Sequence, residues 1–252
     1  AEGAVRLATT GGGPPRSPFA QHLFIGGNTY VLKMLWALGE ELNVTASSDH
    51  IGRKVEQTLD QLENRTAAVT LRNVMLTDTE ARFDVVVEAF TGHKLPTGFP
   101  SRRAWLHVVV EDETGAVLFE SGAFRGDGSI IGNDNDGDPA AFEPHYEEIT
   151  DHEQVQIYEP ILAEVSGGVT TALLRASGYR KDNRLLPLGF DKSSAGGDFA
   201  VYGEAVADAD FAGGGDSVRY SIGLQNAPQE VTVTARLLYQ SIGFRWAENF
   251  RG

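Results

Sequence analysis

The acidic segment at residues 125–149 holds the side chains whose types and spacing most directly suggest chemistry. Asp134, Asp136 and Asp138 alternate with other residues beside Gly137, so three carboxylates could converge on one hard cation. Calcium takes about six to eight oxygen ligands, including carboxylates and backbone carbonyls, and it is the metal that this spacing predicts. The order of an EF-hand loop is not met, because the glycine comes too early and no glutamate follows at its expected place. A solvated acidic loop is the alternative.

The acidic character of the chain extends beyond this segment. A second, weaker acidic loop near the C-terminal end has three aspartates around a run of glycines: Asp208, Asp210 and Asp216. The 252 residues carry a formal net charge of −14. This balance argues against nucleic acid as a partner, because phosphate binding requires a basic face. It suits an acidic surface or the binding of a divalent cation.

Histidine and cysteine usage limits the metal and redox chemistry that the chain can perform. His22, His93 and His145 lie in predicted loops near glycine or proline, where a side chain can be presented outward. No two histidines have the H-x-x-x-H spacing of a helical zinc site. The absence of cysteine excludes disulfides, thiolate metal sites and covalent attachment of haem within this chain.

Motifs of nucleophilic and nucleotide-dependent enzymes are missing. The sequence contains no G-x-S-x-G elbow, no P-loop and no G-x-G-x-x-G segment that opens a helix. A Ser–His–Asp triad assembled from distant residues stays open. We therefore predict a protein without enzymatic activity.

The segment TGHKLPTGFPSRR, residues 91–103, is unusually rich in special residues for a connection between two predicted strands. A simple hairpin needs only a short turn. Pro96 and Pro100 fix φ, whereas the glycines permit unusual backbone conformations. We expect an ordered loop here, in which His93 is either a ligand or a residue that holds the corner by hydrogen bonds.

Hydrophobic periodicity predicts the elements that position these residues. Apolar residues at helical spacing predict an αα-hairpin, with helices over residues 28–43 and about 49–65. The period then changes to two, as in the alternation of Phe83, Val85 and Val87. About eight or nine antiparallel strands separated by glycine-rich turns favour a mainly β fold, a β-sandwich.

The predicted organisation has three parts. Residues 1–20 are rich in glycine and proline and are expected to form a flexible arm. Residues 21–65 form the helical hairpin, and residues 66–252 form the β-sandwich domain. No apolar run approaches the roughly 20 residues that a membrane-spanning helix needs, so no transmembrane segment is predicted.

Several segments, taken together and in order, resemble the C-terminal, non-haem part of bacterial multihaem c-type cytochromes. The resemblance covers nearly the whole chain from residue 22. It rests on six stretches: HLFIGGN (22–28), GHKLPTGFPSRRAWLHVVV (92–110), FEPHY (142–146), QVQIYE (154–159), KDNRLLPLGFD (181–191) and LLYQSIGFRWAEN (237–249).

The resemblance implies a role in electron transfer outside the cytoplasm, in the periplasm or the extracellular space. In such proteins a segment with C-x-x-C-H repeats precedes this region, whereas this chain has no cysteine. Haem c would therefore come from a preceding segment or from a partner cytochrome chain. His22 and His93 are the histidines that the resemblance implies as distal axial ligands of such haems. A homo-oligomer or filament is also compatible with the resemblance.

A second interpretation is a calcium-dependent β-sandwich module that binds a carbohydrate or a protein. The acidic loop around Asp134, Asp136 and Asp138 would hold the calcium ion. Three tryptophans are expected to be exposed and could stack on sugar rings: Trp36, Trp105 and Trp246.

Overall fold

The structure, a computed structural model, describes residues 4, 6, 13–17, 24–225 and 228–250. The chain divides into two compact units, residues 1–59 and residues 60–252. The predicted flexible arm and the predicted ligand His22 fall largely or entirely outside the described residues.

The first unit contains α1 (Thr29–Ala37) and most of α2 (Ser48–Asn64). Asn28 begins α1, and its side-chain oxygen accepts a hydrogen bond from the Val31 amide at 3.0 Å. The Trp36 ring lies against α2, where a Cβ at Gly52 would come within 3.8 Å of it. Two helices are therefore present where the αα-hairpin was predicted.

Helix α1 differs from the prediction in its length and its burial. It ends at Ala37, and the chain then turns, with the Val44 amide bound to the Gly39 carbonyl at 2.9 Å and Asn43 at a φ of 50°. No residue of α1 is buried, and Val31 is 41% exposed. The apolar stripe predicted a helix correctly, but spacing alone does not determine what covers the stripe. In α2, by contrast, the buried residues recur at helical spacing: Ile51, Val55 and Thr58.

The described residues contain eleven strands, two further short α-helices and two 3₁₀ helices, Leu173–Arg175 and Glu204–Val206. The extra strands relative to the prediction include pairs of residues too short to show alternation. The strands are β1 (Ala67–Leu76), β2 (Glu80–Ala89), β3 (Arg103–Asp112), β4 (Val117–Ser121), β5 (Glu148–Ile149), β6 (Ile157–Tyr158), β7 (Pro160–Glu164), β8 (Val169–Thr170), β9 (Ala176–Asp182), β10 (Gly215–Gly223) and β11 (Val231–Gln240). The helices are α3 (Asp134–Gly137) and α4 (Phe244–Glu248).

The strands form sheets that are almost entirely antiparallel, which confirms the prediction of a mainly β fold. One sheet has the order β1-β2-β10-β5, a second has the order β11-β3-β4 with β6 also paired to β3, and a third has the order β8-β7-β9. The pairing of β10 with β5 is parallel. Alternating side chains of the first two sheets meet in one core, including Val85 and Val87 of β2 and Leu106 and Val108 of β3. Full burial of each such side chain stabilises the fold by about 1.5–3 kcal/mol.

Within the described part of the chain, no helix has the length and apolar character needed to cross a membrane.

Candidate functional site

The loop between β2 and β3 is ordered by contacts with distant parts of the second unit. Leu95 exchanges two backbone hydrogen bonds with Leu185, at 2.9 and 2.8 Å. The Lys94 ammonium donates to Asp182 Oδ2 at 2.7 Å and to the Ala200 carbonyl at 2.9 Å. Because the side chain of Asp182 is fully buried, these bonds fix the loop to the interior. The expectation of an ordered loop is met.

His93 lies on the exposed surface of this loop. Its Nδ1 atom is 3.0 Å from the Lys94 carbonyl oxygen, and Thr91 Oγ1 donates to the His93 carbonyl at 2.7 Å. A carbonyl oxygen can only accept, so the proton of the neutral ring lies on Nδ1. Nε2 has no hydrogen-bond partner among the described residues. Its lone pair is therefore available, as in histidines that bind a metal while the other ring nitrogen donates to a carbonyl.

An apolar groove begins at the residue before His93. The groove has a volume of about 560 Å³. Gly92 lines it together with two aromatic rings, a proline and a leucine: Phe90, Phe190, Pro187 and Leu188. Phe90 is 58% exposed and Leu188 is 85% exposed. His93 follows Gly92 directly in the chain but does not itself line the groove.

The acidic loop predicted to bind calcium has another arrangement in the structure. Asp134 and Asp138 are exposed, whereas Asp136 is buried. The Asp136 carboxylate accepts hydrogen bonds from Arg103 Nη1 at 2.8 Å, from Arg103 Nη2 at 3.0 Å and from the Ile130 amide at 2.8 Å. In the described part of the chain the three carboxylates are not gathered at one point as metal ligands would be. The sequence pattern missed Arg103 as a partner because it is 33 residues away. Calcium binding by this loop stays a prediction.

The three tryptophans considered as sugar-stacking groups differ in exposure. Trp36 is 50% exposed, but Trp105 is only 5% exposed and donates its Nε1–H to the Gly122 carbonyl at 2.9 Å. Trp246 is half-buried, and its ring centroid lies 5.2 Å from that of Phe99 in an edge-to-face arrangement. The expectation of exposure is wrong for Trp105, because β3 turns this side chain towards the interior.

A buried polar network lies in the second unit and is centred on His145. The expectation that this histidine is presented outward is wrong, because its side chain is fully buried. Nε2 lies 2.9 Å from Asp208 Oδ2 and 3.9 Å from Asp216 Oδ1. Nδ1 lies 2.8 Å from Gln156 Nε2 and 3.1 Å from Asn183 Nδ2.

Two amide side chains determine the protonation of His145. The Gln156 side-chain oxygen accepts from the Tyr146 amide at 2.9 Å, and the Asn183 side-chain oxygen accepts from the Glu159 amide at 3.0 Å. Both side chains must therefore present N–H groups to Nδ1, which accepts. The imidazole is neutral, with its proton on Nε2. Burial lowers the pKa of His145 to about 4, although Asp208 opposes this shift.

The ring nitrogen and the two carboxylates are close enough to hold a metal ion, since their ligand atoms lie within 4.8 Å of one another. The hydrogen bonds oppose this use. A metal on Nε2 of a neutral imidazole would move the proton to Nδ1, where it would face the N–H groups of Gln156 and Asn183. The arrangement fits a structural hydrogen-bond network.

Asp216 is the most perturbed carboxyl group of this network. Its Oδ2 atom accepts from the Tyr158 hydroxyl at 2.7 Å and from Gln156 Nε2 at 3.1 Å. Burial raises the pKa of Asp216 to about 7, and the negative charges of Asp208 and Asp210 add to this effect. The backbone approaches β2 closely here, since a Cβ at Gly215 would lie 2.2 Å from the Val87 carbonyl oxygen.

The segments that carry the family resemblance meet in space at these two places. Lys94 of GHKLPTG contacts Asp182 of KDNRLL. The next residue, Asn183, contacts His145 of FEPHY, which also contacts Gln156 of QVQIYE. The sequence pattern had singled out the acidic loop at 208–216, but not its partner His145, because the two are 63 residues apart.

Comparisons with known proteins give little further information. No protein-family model and no curated protein matches the chain. Among solved structures, a penta-haem cytochrome c552 from Thermochromatium tepidum is similar, with 18% identity and a TM-score of 0.44 over 74% of this chain and 35% of that chain. This chain therefore spans about a third of that cytochrome's length. Values this low support no transfer of fold or function.

Proposed function

We propose that this chain is a haem-free module that packs against a multihaem c-type cytochrome segment or subunit and takes part in electron transfer outside the cytoplasm. His93 would be a distal axial ligand to a haem c of that partner, and His22, outside the described residues, is a second candidate. The observation that carries the proposal is the exposed His93 imidazole, whose Nδ1 donates to the Lys94 carbonyl.

The surroundings of His93 suit this role. In a bis-histidine haem the attachment motif supplies one axial ligand and a distant histidine supplies the other. A hydrogen bond from Nδ1 to a carbonyl raises the basicity of Nε2 and fixes the orientation of the ring. The groove that the preceding residue Gly92 lines, with Phe90 and Leu188 exposed, offers apolar surface to a macrocycle. Exclusion of water there would influence the reduction potential.

The calcium-dependent binding module is less well supported. Asp136 is engaged by Arg103, and Trp105 is buried. One of the three aspartates and one of the three tryptophans that motivated that interpretation are thus used inside the fold. We therefore retain the cytochrome-associated module as the conclusion.

The proposal can be tested with a haem c peptide that supplies one axial histidine and leaves the sixth position open. Mixing it with the intact chain should produce the low-spin absorption spectrum of bis-histidine coordination. His93→Ala should remove most of this signal. His152→Ala is the matched control, because His152 is also an exposed loop histidine with a side-chain exposure of 69%. Equal binding by the wild type and His93→Ala would refute the role of His93.

A further inference from the structure

Lys94 connects His93 to the interior of the second unit. Its ammonium group is held by Asp182 Oδ2 at 2.7 Å and by the Ala200 carbonyl at 2.9 Å. Its side chain is 11% exposed, and that of Asp182 is fully buried. Leu95, the next residue, is fixed through its backbone to Leu185. The peptide unit between Lys94 and Leu95 is therefore restrained on both sides.

This restraint acts on His93 through the carbonyl group of the same peptide unit. The Lys94 oxygen accepts the Nδ1–H of His93 at 3.0 Å. An imidazole in water exchanges its proton between the two ring nitrogens, and a fixed acceptor beside Nδ1 favours the form with the proton there. That form leaves Nε2 as the ligating nitrogen.

We propose that Lys94, anchored on Asp182, is a positioning residue that selects the Nδ1–H tautomer of His93 and so prepares Nε2 to bind a metal centre. The use of the prepared nitrogen rests on the proposed function, whereas the tautomer itself does not. A net hydrogen-bond contribution of ordinary size corresponds to roughly a two- to tenfold bias in the tautomer ratio.

Arg184 provides a matched control for damage to the ion-pair cluster. It donates to the same carboxylate, through Nε at 2.7 Å to Oδ1 and through Nη2 at 2.8 Å to Oδ2 of Asp182. Its removal takes a cation from Asp182 but leaves the bond between Lys94 and Asp182 in place. Lys94→Met removes that bond while keeping an unbranched apolar stem.

The experiment is a long-range proton–nitrogen NMR spectrum of the nitrogen-15-labelled intact chain, which identifies the protonated ring nitrogen of each histidine. We expect Nδ1–H to predominate at His93 in the wild type above the range where imidazole is charged. Lys94→Met should shift the ratio towards Nε2–H by roughly two- to tenfold. Arg184→Met should leave it near the wild-type value.

A wild-type His93 that is mainly protonated on Nε2 would overturn the proposal without any variant, so it stays testable even if Lys94→Met fails to fold. An unchanged ratio in folded Lys94→Met, or an equal shift in Arg184→Met, would also overturn it. The haem c peptide separates this inference from the proposed function. If wild-type chain with the expected tautomer does not bind the peptide, the proposed function fails and the positioning role stands.

Discussion

Replacement of Asp216 by asparagine should change how the stability of the fold depends on pH. Asp216 is 3% exposed and lies close to His145, which its neighbours keep neutral. Burial raises the pKa of Asp216 to about 7, from 3.8 for a carboxyl group in water. The folded state thus binds a proton at this site more tightly than the unfolded chain does.

The sign and the size of the effect follow from linkage. Below the unfolded pKa of 3.8 both the folded and the unfolded state hold the proton, so ionisation of Asp216 does not change the free energy of unfolding there. As the pH rises towards the folded pKa of about 7, the unfolded chain loses the proton first and the fold becomes less stable. With about 1.4 kcal/mol for each unit of pKa difference, the loss is about 4 kcal/mol above pH 7.

Asp216→Asn cannot ionise and should lack this loss. Urea unfolding of the wild type and the variant at several pH values between 4 and 8 would measure it. The stability of Asp216→Asn relative to the wild type should rise across this range, by up to about 4 kcal/mol. Asp138→Asn, at an exposed aspartate, controls for the loss of one negative charge. A stability difference between Asp216→Asn and the wild type that stays constant with pH would refute the reasoning.

Other substitutions test the remaining parts of the structure. Asp136→Ala should lower the free energy of unfolding by about 3–5 kcal/mol, because it leaves the Arg103 guanidinium buried without its partner; a loss under about 1 kcal/mol in urea unfolding would contradict the buried ion pair. Leu106→Ala in the core should cost about 2–5 kcal/mol, whereas Val31→Ala on the exposed side of α1 should stay within about 0.5 kcal/mol in the same assay. His93→Ala should also stay within about 0.5 kcal/mol, because the ring is exposed; a larger loss in a thermal melt would assign it a role in holding the loop.

Local patterns in the sequence predicted the main strands well. Phe83, Val85 and Val87 lie at alternate positions and are buried on one face of β2. Alternation is a local property, because successive side chains of a strand point to opposite faces. The two-residue strands β5, β6 and β8 carry no such signal, so the sequence pattern predicted fewer strands than the structure contains.

The candidate site was predictable only in its components. The loop at His93 stood out by its residue types, but its attachment to Asp182 joins residues 88 positions apart. The pairing of His145 with Asp208 likewise depends on how distant loops meet. A single sequence shows which residues could form hydrogen bonds, but it does not specify long-range partners. The same limit explains why the sequence predicted a calcium ion, and not Arg103, as the partner of Asp136.

The edges of the β1-β2-β10-β5 sheet have a consequence for self-association. Open strand edges offer unpaired amide and carbonyl groups to a second molecule, and regular edges promote aggregation. Here β1 is interrupted between Arg72 and Met75, where Asn73 adopts a φ of 51° and donates its side-chain amide to Asp84 Oδ2 at 2.5 Å. The opposite edge, β5, has two residues. Both edges of this sheet are therefore poor templates for continuing it into another copy, and self-association at this sheet would have to use side-chain surfaces.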